Sequence, residues 1–256
     1  MIIDVHCHPW SFKSVGYYKR LPLFRYMEDL GIDRVVMLGM NNAENKTIVK
    51  LVKKYPDKIS GFAYVNPKTL SKTLKHFEEG VKAGYFRGVK MYPYFEHFQL
   101  DDKVLYPFYE RCLSLDIPLL FHTGWVMMHE DASSGHAGRY ACTGFPVQFG
   151  NVLEDFPKLK LIFSHMGGNF YYECLTLSER FENVYLETAW LRYYTQRFLP
   201  KIKVKEWIEH ASQILGSKKI IYGGEGIYPD DVKHTNLSEE QKVDILGNNA
   251  TRLLKL

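Results

Sequence analysis

The chain has 256 residues, 46% hydrophobic and 24% charged, enough to bury a full core and in the size range of one α/β barrel domain. Its formal net charge of +4 is spread along the sequence, without a Lys/Arg block or a basic strip interleaved with aromatics, so nothing points to nucleic acid. The four cysteines, Cys7, Cys112, Cys142 and Cys174, lack Cys-x-x-Cys spacing, no apolar run approaches membrane-spanning length, and Met1 leads straight into a strand. The reading is a soluble, unsecreted protein of the reducing cytoplasm.

In chain order, short runs rich in Val, Ile, Leu, Phe and Tyr alternate with longer stretches of helical apolar spacing. Strands are predicted at residues 2–6, 34–38, 59–65, 88–92, 118–121, 160–164, 184–187 and 219–222. Helices are predicted at 21–30, 43–55, 69–83, 103–115, 171–181, 204–215 and 237–254. Such alternation is the sequence form of a closed parallel (β/α)8 TIM barrel, distorted, with the helices outside, spanning residues 1–256 as a single domain. An open doubly wound sheet would place a glycine-rich phosphate turn after the first strand, and His6-Cys7-His8-Pro9 stands there instead. The longest irregular stretch, 124–145, follows the fifth strand and reads as a cover over the barrel mouth.

Chemistry in such a barrel gathers where strands exit at their C-terminal ends. His6 and His8 lie two apart on the first strand, so alternation turns both imidazoles the same way and makes half of a chelate for a metal such as zinc. The fourth strand exits at Lys90, the fifth at His122, the sixth at His165 and the eighth at Glu225, while the seventh carries Glu187. Four histidines, a lysine and a carboxylate at matching depth favour a metal site over core packing. Gly167 and Gly168, following His165, would let backbone approach a ligand closely. His76, His210 and His234 read as surface residues, and His97, His129 and His136 as loop residues without an assigned role.

Asp4-Val5-His6-Cys7-His8, His122-Thr123-Gly124, Ser164-His165-Met166-Gly167-Gly168 and the closing segment 245–254 together resemble the amidohydrolase superfamily. The likeness is to its amidohydrolase-related branch of decarboxylases and lactone hydrolases. The resemblance implies one divalent metal, zinc first and manganese second, on His6, His8, His122 and a strand-eight carboxylate. It makes His165 the catalytic acid/base or the partner that holds a ligand. The family typically reads Gly-Ser-Asp and then Tyr-Pro at strand eight, whereas this chain reads Gly223-Gly224-Glu225-Gly226-Ile227-Tyr228-Pro229. Glu225 is therefore the expected carboxylate, ligand and base, with Asp230 and Asp231 as alternatives farther on. Its extra methylene changes the reach by about 1.5 Å, large against metal-ligand tolerances of about 0.2 Å, so backbone or metal has to adjust.

The first expectation is hydrolysis of a small carboxylated lactone or amide by activated water, with Glu225 as base and His165 as proton donor. Decarboxylation of a small unsaturated or aromatic acid uses the same ligands, and an inactive barrel serving as a binding module is the third reading. Lys90, Tyr92, Arg139 and Arg192 are expected to contact substrate, with Tyr94, Tyr140 and Tyr193 nearby. In some members of the superfamily a strand-four lysine is carbamylated and bridges two metals, which extends the options for Lys90. The expected partner is a small molecule, with neither nucleic acid nor membrane, and a homodimer is the assembly entertained.

Overall fold

The computed structural model describes residues 1–66, 69–96, 98–124 and 145–256. Eight parallel strands pair in sequence order: β1 Ile3–Cys7, β2 Arg34–Leu38, β3 Ile59–Tyr64, β4 Phe86–Met91, β5 Leu119–Phe121, β6 Leu161–Phe163, β7 Val184–Glu187 and β8 Ile220–Ile221. The Val5 amide donates to the Tyr222 carbonyl at 3.1 Å and draws the end of β8 against β1, giving a nearly closed (β/α)8 barrel.

Period-two alternation sorts the strand residues into two packing environments. Ile3, Val5, Val36, Leu38, Phe62, Leu120, Ile162 and Ile221 fill the barrel, with Ala250, Leu253 and Leu254 of the last helix packed against them. Their neighbours Val35, Met37, Val89, Met91, Leu119, Phe121, Leu161, Phe163 and Leu186 pack outward under the helices. By the same alternation Lys90, the residue after β5 (His122), the residue after β6 (Ser164) and Glu187 turn inward at the C-terminal end. The polar site therefore sits directly above an apolar plug.

Helices Leu23–Leu30, Asn42–Lys54, Leu70–Lys82, Tyr171–Arg180 and Val204–Leu215 follow the predicted apolar spacing closely. The predicted helix at 237–254 is broken into Glu239–Val243, a π-helical turn Asp244–Asn248 and Asn249–Leu254. Gly247 lies in that turn, and a Cβ there would run into the Met1 carbonyl, so the wide turn lets the helix pass over the start of β1. Short helices such as Pro9–Phe12, Phe149–Asp155, Leu191–Thr195 and Pro229–Lys233 have no counterpart in the periodicity, being too short to repeat an apolar face.

Candidate active site

The first strand carries a register shift between Asp4 and Cys7. This bulge re-aims the chain, so that Ile3 and Val5 face the apolar plug and His6 and His8 face the mouth. Asp4 fixes the distortion: its Oδ1 accepts the His6 amide at 2.9 Å and the Gly224 amide at 2.7 Å, and its Oδ2 accepts the Tyr26 hydroxyl at 2.9 Å. Burial raises its carboxyl to about 6, against the lowering effect of these donors. The motif's first acid thus ties β1 to the segment after β8.

The hydrogen-bond network assigns a proton to each imidazole. Nδ1 of His8 lies 3.1 Å from the Leu38 carbonyl, which only accepts, so Nδ1 bears the hydrogen and Nε2 is left with its lone pair. Nδ1 of His6 lies 3.1 Å from Glu187 Oε2. That carboxylate also accepts the His165 amide at 3.2 Å and the Ala189 amide at 2.5 Å, so His6 is the donor there and its Nε2 is likewise proton-free. His165 donates from Nδ1 to the Ala189 carbonyl at 2.8 Å and accepts at Nε2 from His122 Nδ1 at 3.3 Å. Nε2 of His122 is buried without a hydrogen-bond partner among the described residues.

Burial holds all four rings in their neutral form. His6, His8 and His122 are pushed well below the usual imidazole value by desolvation first and by neighbouring positive charge second. His165 falls to about 3 for the same reasons. Both of its nitrogens are engaged within the protein, which suits a residue that positions His122. Its backbone, like that of Met166, is left-handed, with φ of 60° and 49°. Gly167 and Gly168 do permit a close approach, but to Cys174, Tyr194 and Gly124.

Glu225 resolves the departure at strand eight through the backbone. It lies beyond β8 in a left-handed turn, φ 48°, followed by Gly226 at φ 92°. From there its carboxylate reaches 3.4 Å from His6 Nε2 and 3.9 Å from His8 Nε2. The preceding glycines are dictated by packing, since a Cβ on Gly223 would enter the Glu187 carboxylate and one on Gly224 would strike Asp4 and Tyr26. Burial pushes the Glu225 carboxyl up, with Glu187 adding to the effect and Lys90 opposing it. Asp230 and Asp231 take no part: Asp230 pairs with Lys233, and Asp231 pairs with Arg192 and accepts the Tyr228 amide.

Lys90 is fully buried inside the barrel. Its Nζ donates to Ser164 Oγ at 2.7 Å and stands 5.1 Å from the Tyr92 ring centroid. Burial pulls its pKa down, while Glu187 and Glu225 hold it up. Tyr92 and Tyr94 line the wall beside His122, the Tyr94 ring 4.6 Å and the Tyr92 ring 6.4 Å from it. Trp10, half exposed, stacks on His8 at 4.1 Å. Arg192 donates to the Gly226 carbonyl at 2.9 Å and to Asp231 at 2.6 Å, bracing the Glu225 turn from outside. Tyr193 stacks on Trp190. His76, His210 and His234 are exposed, and His210 meets the Tyr171 hydroxyl at 2.7 Å. Arg139, Tyr140, His97, His129, His136, Cys142 and nearly all of the expected cover lie outside the described residues.

Ligating atoms of His6, His8 and Glu225 lie within 4.8 Å of one another, as do those of His6, His165 and Glu187. In the second group the atoms are already satisfied by hydrogen bonds, whereas in the first two imidazole lone pairs face a carboxylate, an arrangement that needs a proton or a cation at its centre. His122, an expected ligand, is not among the atoms of that group, although its Nε2 is buried without a partner among the described residues; the donor set of the first group is mixed nitrogen and oxygen, suited to zinc or manganese. The residues present fit a divalent ion. Glu187 and the Leu38 carbonyl, neither given a role from sequence, orient His6 and His8; the signal for Glu187 was an acid at the exit of an otherwise apolar strand.

A parallel barrel with imidazoles and carboxylates collected at its strand exits is the architecture of a barrel enzyme. The chain belongs to the amidohydrolase family: a family model described as Amidohydrolase (Amidohydro_2) matches residues 3–256. It is 23% identical over 253 residues to a 2-keto-4-carboxy-3-hexenedioate hydratase of Sphingobium sp. (strain NBRC 103272 / SYK-6), covering 86% of this chain and 73% of that protein. It is 22% identical over 238 residues to a 2-amino-3-carboxymuconate-6-semialdehyde decarboxylase of Dictyostelium discoideum, covering 83% of this chain and 65% of that protein. The fold superimposes on a dihydroxybenzoic acid decarboxylase from Polaromonas sp. JS666, a structure with manganese and 2-nitroresorcinol bound. That match has a TM-score of 0.70 and 19% identity and covers 100% of this chain and 97% of that one. No helix among the described residues is long and apolar enough to cross a membrane.

Proposed function

We propose that the protein is a metal-dependent lyase that decarboxylates a small unsaturated or aromatic carboxylic acid. The observation that carries this reading is the convergence of proton-free Nε2 atoms of His6 and His8 on Glu225, with each ring locked from behind. His6, His8 and Glu225 would hold the ion, with His122 as a further ligand. Manganese is favoured beside zinc by the Polaromonas structure. A divalent ion there supplies a Lewis-acidic charge beside which negative charge on the substrate is stabilised.

Glu225 is the group that moves the proton. Its carboxylate is partly exposed toward the mouth, so it is placed to take a proton from solvent and deliver it to the carbon that loses carbon dioxide. Trp10, Tyr92 and Tyr94 offer flat apolar walls that suit an unsaturated or aromatic acid. Lys90 and Ser164 set the polarity of the floor. Hydration is the second reading, supported by the Sphingobium relative, and it asks Glu225 to take a proton from water instead. Lactone or amide hydrolysis, the first expectation from sequence, needs another leaving-group donor than His165, whose nitrogens are both engaged.

The test is a screen of hydroxybenzoates and unsaturated oxo-acids with manganese- or zinc-loaded protein in 18O-labelled water. Carbon dioxide release with no 18O in the product is the expected result. Incorporation of 18O without carbon dioxide release would replace decarboxylation by hydration or hydrolysis.

A further inference from the structure

At the opposite, N-terminal end of the barrel, a cavity of about 240 Å³ opens between the starts of β2, β3 and β4. Arg34, Lys53 and Arg87 line it together with Ser60, Gly84 and Tyr85, and no acidic residue is among its lining. Arg34 is fixed through a single nitrogen: Nη1 donates to the Pro56 carbonyl at 2.9 Å and to Ser60 Oγ at 3.0 Å. The rest of its fork makes no hydrogen bond among the described residues, and the side chain lines the cavity. Arg87 is half-buried and makes no hydrogen bond or ion pair among the described residues, its Nη2 lying over Gly84. The Lys53 ammonium stands 5.0 Å from the Tyr85 ring centroid on the cavity wall.

Two guanidiniums and an ammonium around one concavity repel one another, and burial and Arg87 both lower the Arg34 pKa. Asp57, an exposed acid whose charge reaches Arg34, does not line the cavity. A half-buried guanidinium without a partner, held beside a second one whose fork is preset, is an arrangement that an anion with several oxygens completes. Arginine forks match tetrahedral oxyanions through paired N–H donors, and the buried Ser60 hydroxyl, which accepts from Arg34, adds one more polar group to the lining.

We propose that this cavity binds a tetrahedral oxyanion, inorganic phosphate or a phosphate group on a small molecule, between Arg34 and Arg87, with Lys53 as third contact. The site is independent of the chemistry at the mouth, because it lies at the far end of the same strands.

The test is thermal unfolding of the whole chain in phosphate, sulfate, citrate or chloride at matched ionic strength. A His8→Ala background is used, so that binding of anions to a metal at the mouth plays no part. Phosphate and sulfate are expected to raise the midpoint by about 5 °C or more once present at roughly 100 times the dissociation constant. Arg87→Gln is expected to abolish that rise while leaving the midpoint in chloride unchanged or higher, because a repelling charge has gone. Lys53→Gln is expected to weaken the rise, and Lys201→Gln, at an exposed lysine elsewhere, to leave it intact. A rise that survives Arg87→Gln, no rise in the parent, or a rise with citrate alone would each overturn the assignment.

Discussion

Glu187→Gln isolates the groundwork beneath the site, because it changes neither shape nor any ligand. The carboxylate accepts three N–H groups: Oε2 takes His6 Nδ1 and the His165 amide, and Oε1 takes the Ala189 amide. A glutamine side chain has one oxygen, so one end must present N–H to N–H. If its NH2 faces Ala189, a charge-assisted hydrogen bond is lost, about 1.5–3 kcal/mol. If its NH2 faces His6, the ring proton has no acceptor and moves to Nε2, which removes a ligand atom. Either way the His6 lone pair is weaker or absent, and loss of such a supporting partner lowers metal affinity by about 10–100-fold. Manganese titration followed by electron paramagnetic resonance reads this directly, with circular dichroism as the check on folding. A folded Glu187→Gln protein that binds manganese as tightly as the parent would show that the carboxylate does not hold the His6 ring for the ion.

Gly224→Ala places a methyl against Asp4 and Tyr26 and is expected to cost about 1–3 kcal/mol in urea unfolding, with activity falling because the Glu225 turn shifts. Tyr26→Phe removes the hydroxyl donor to buried Asp4 and is expected to cost about 1.5–3 kcal/mol by the same assay; a change below 0.5 kcal/mol, to be set against that ~1.5 kcal/mol floor, would show that Asp4 does not need it. Because burial raises the Glu225 carboxyl, ion uptake below its pKa displaces a proton, so affinity rises with pH there and levels off above it. Calorimetry in two buffers of different ionisation enthalpy should find proton release on the acid side. Chelation of the ion is expected to lower the unfolding midpoint, since an ion at about 100 times its dissociation constant contributes about 2.7 kcal/mol.

Much of the fold was legible because the barrel repeats a local rule: every strand was found, displaced by at most a few residues at its ends. The placement of His6, His8, His122 and Lys90 at strand exits was legible, and His6 and His8 do converge with Glu225. What could not be read locally was who stands behind each ligand. Glu187 reaches His6 across the β7 and β1 ends, and the Leu38 carbonyl reaches His8 from β2, contacts set by barrel closure that leave no trace in either segment. The depth of Lys90 follows from the inward phase of β4 and from Ser164 opposite it. The Glu225 puzzle likewise dissolves in backbone geometry, since a left-handed residue between glycines returns the longer side chain to the imidazoles.

Whether one ion sits on His6, His8 and Glu225 is read out by metal stoichiometry, measured by elemental mass spectrometry. Untagged protein would be dialysed after exposure to manganese or zinc, beside the His8→Ala variant. About one equivalent is expected in the parent and a large loss in the variant. No bound ion in the parent, or the same content in His8→Ala, would contradict that site.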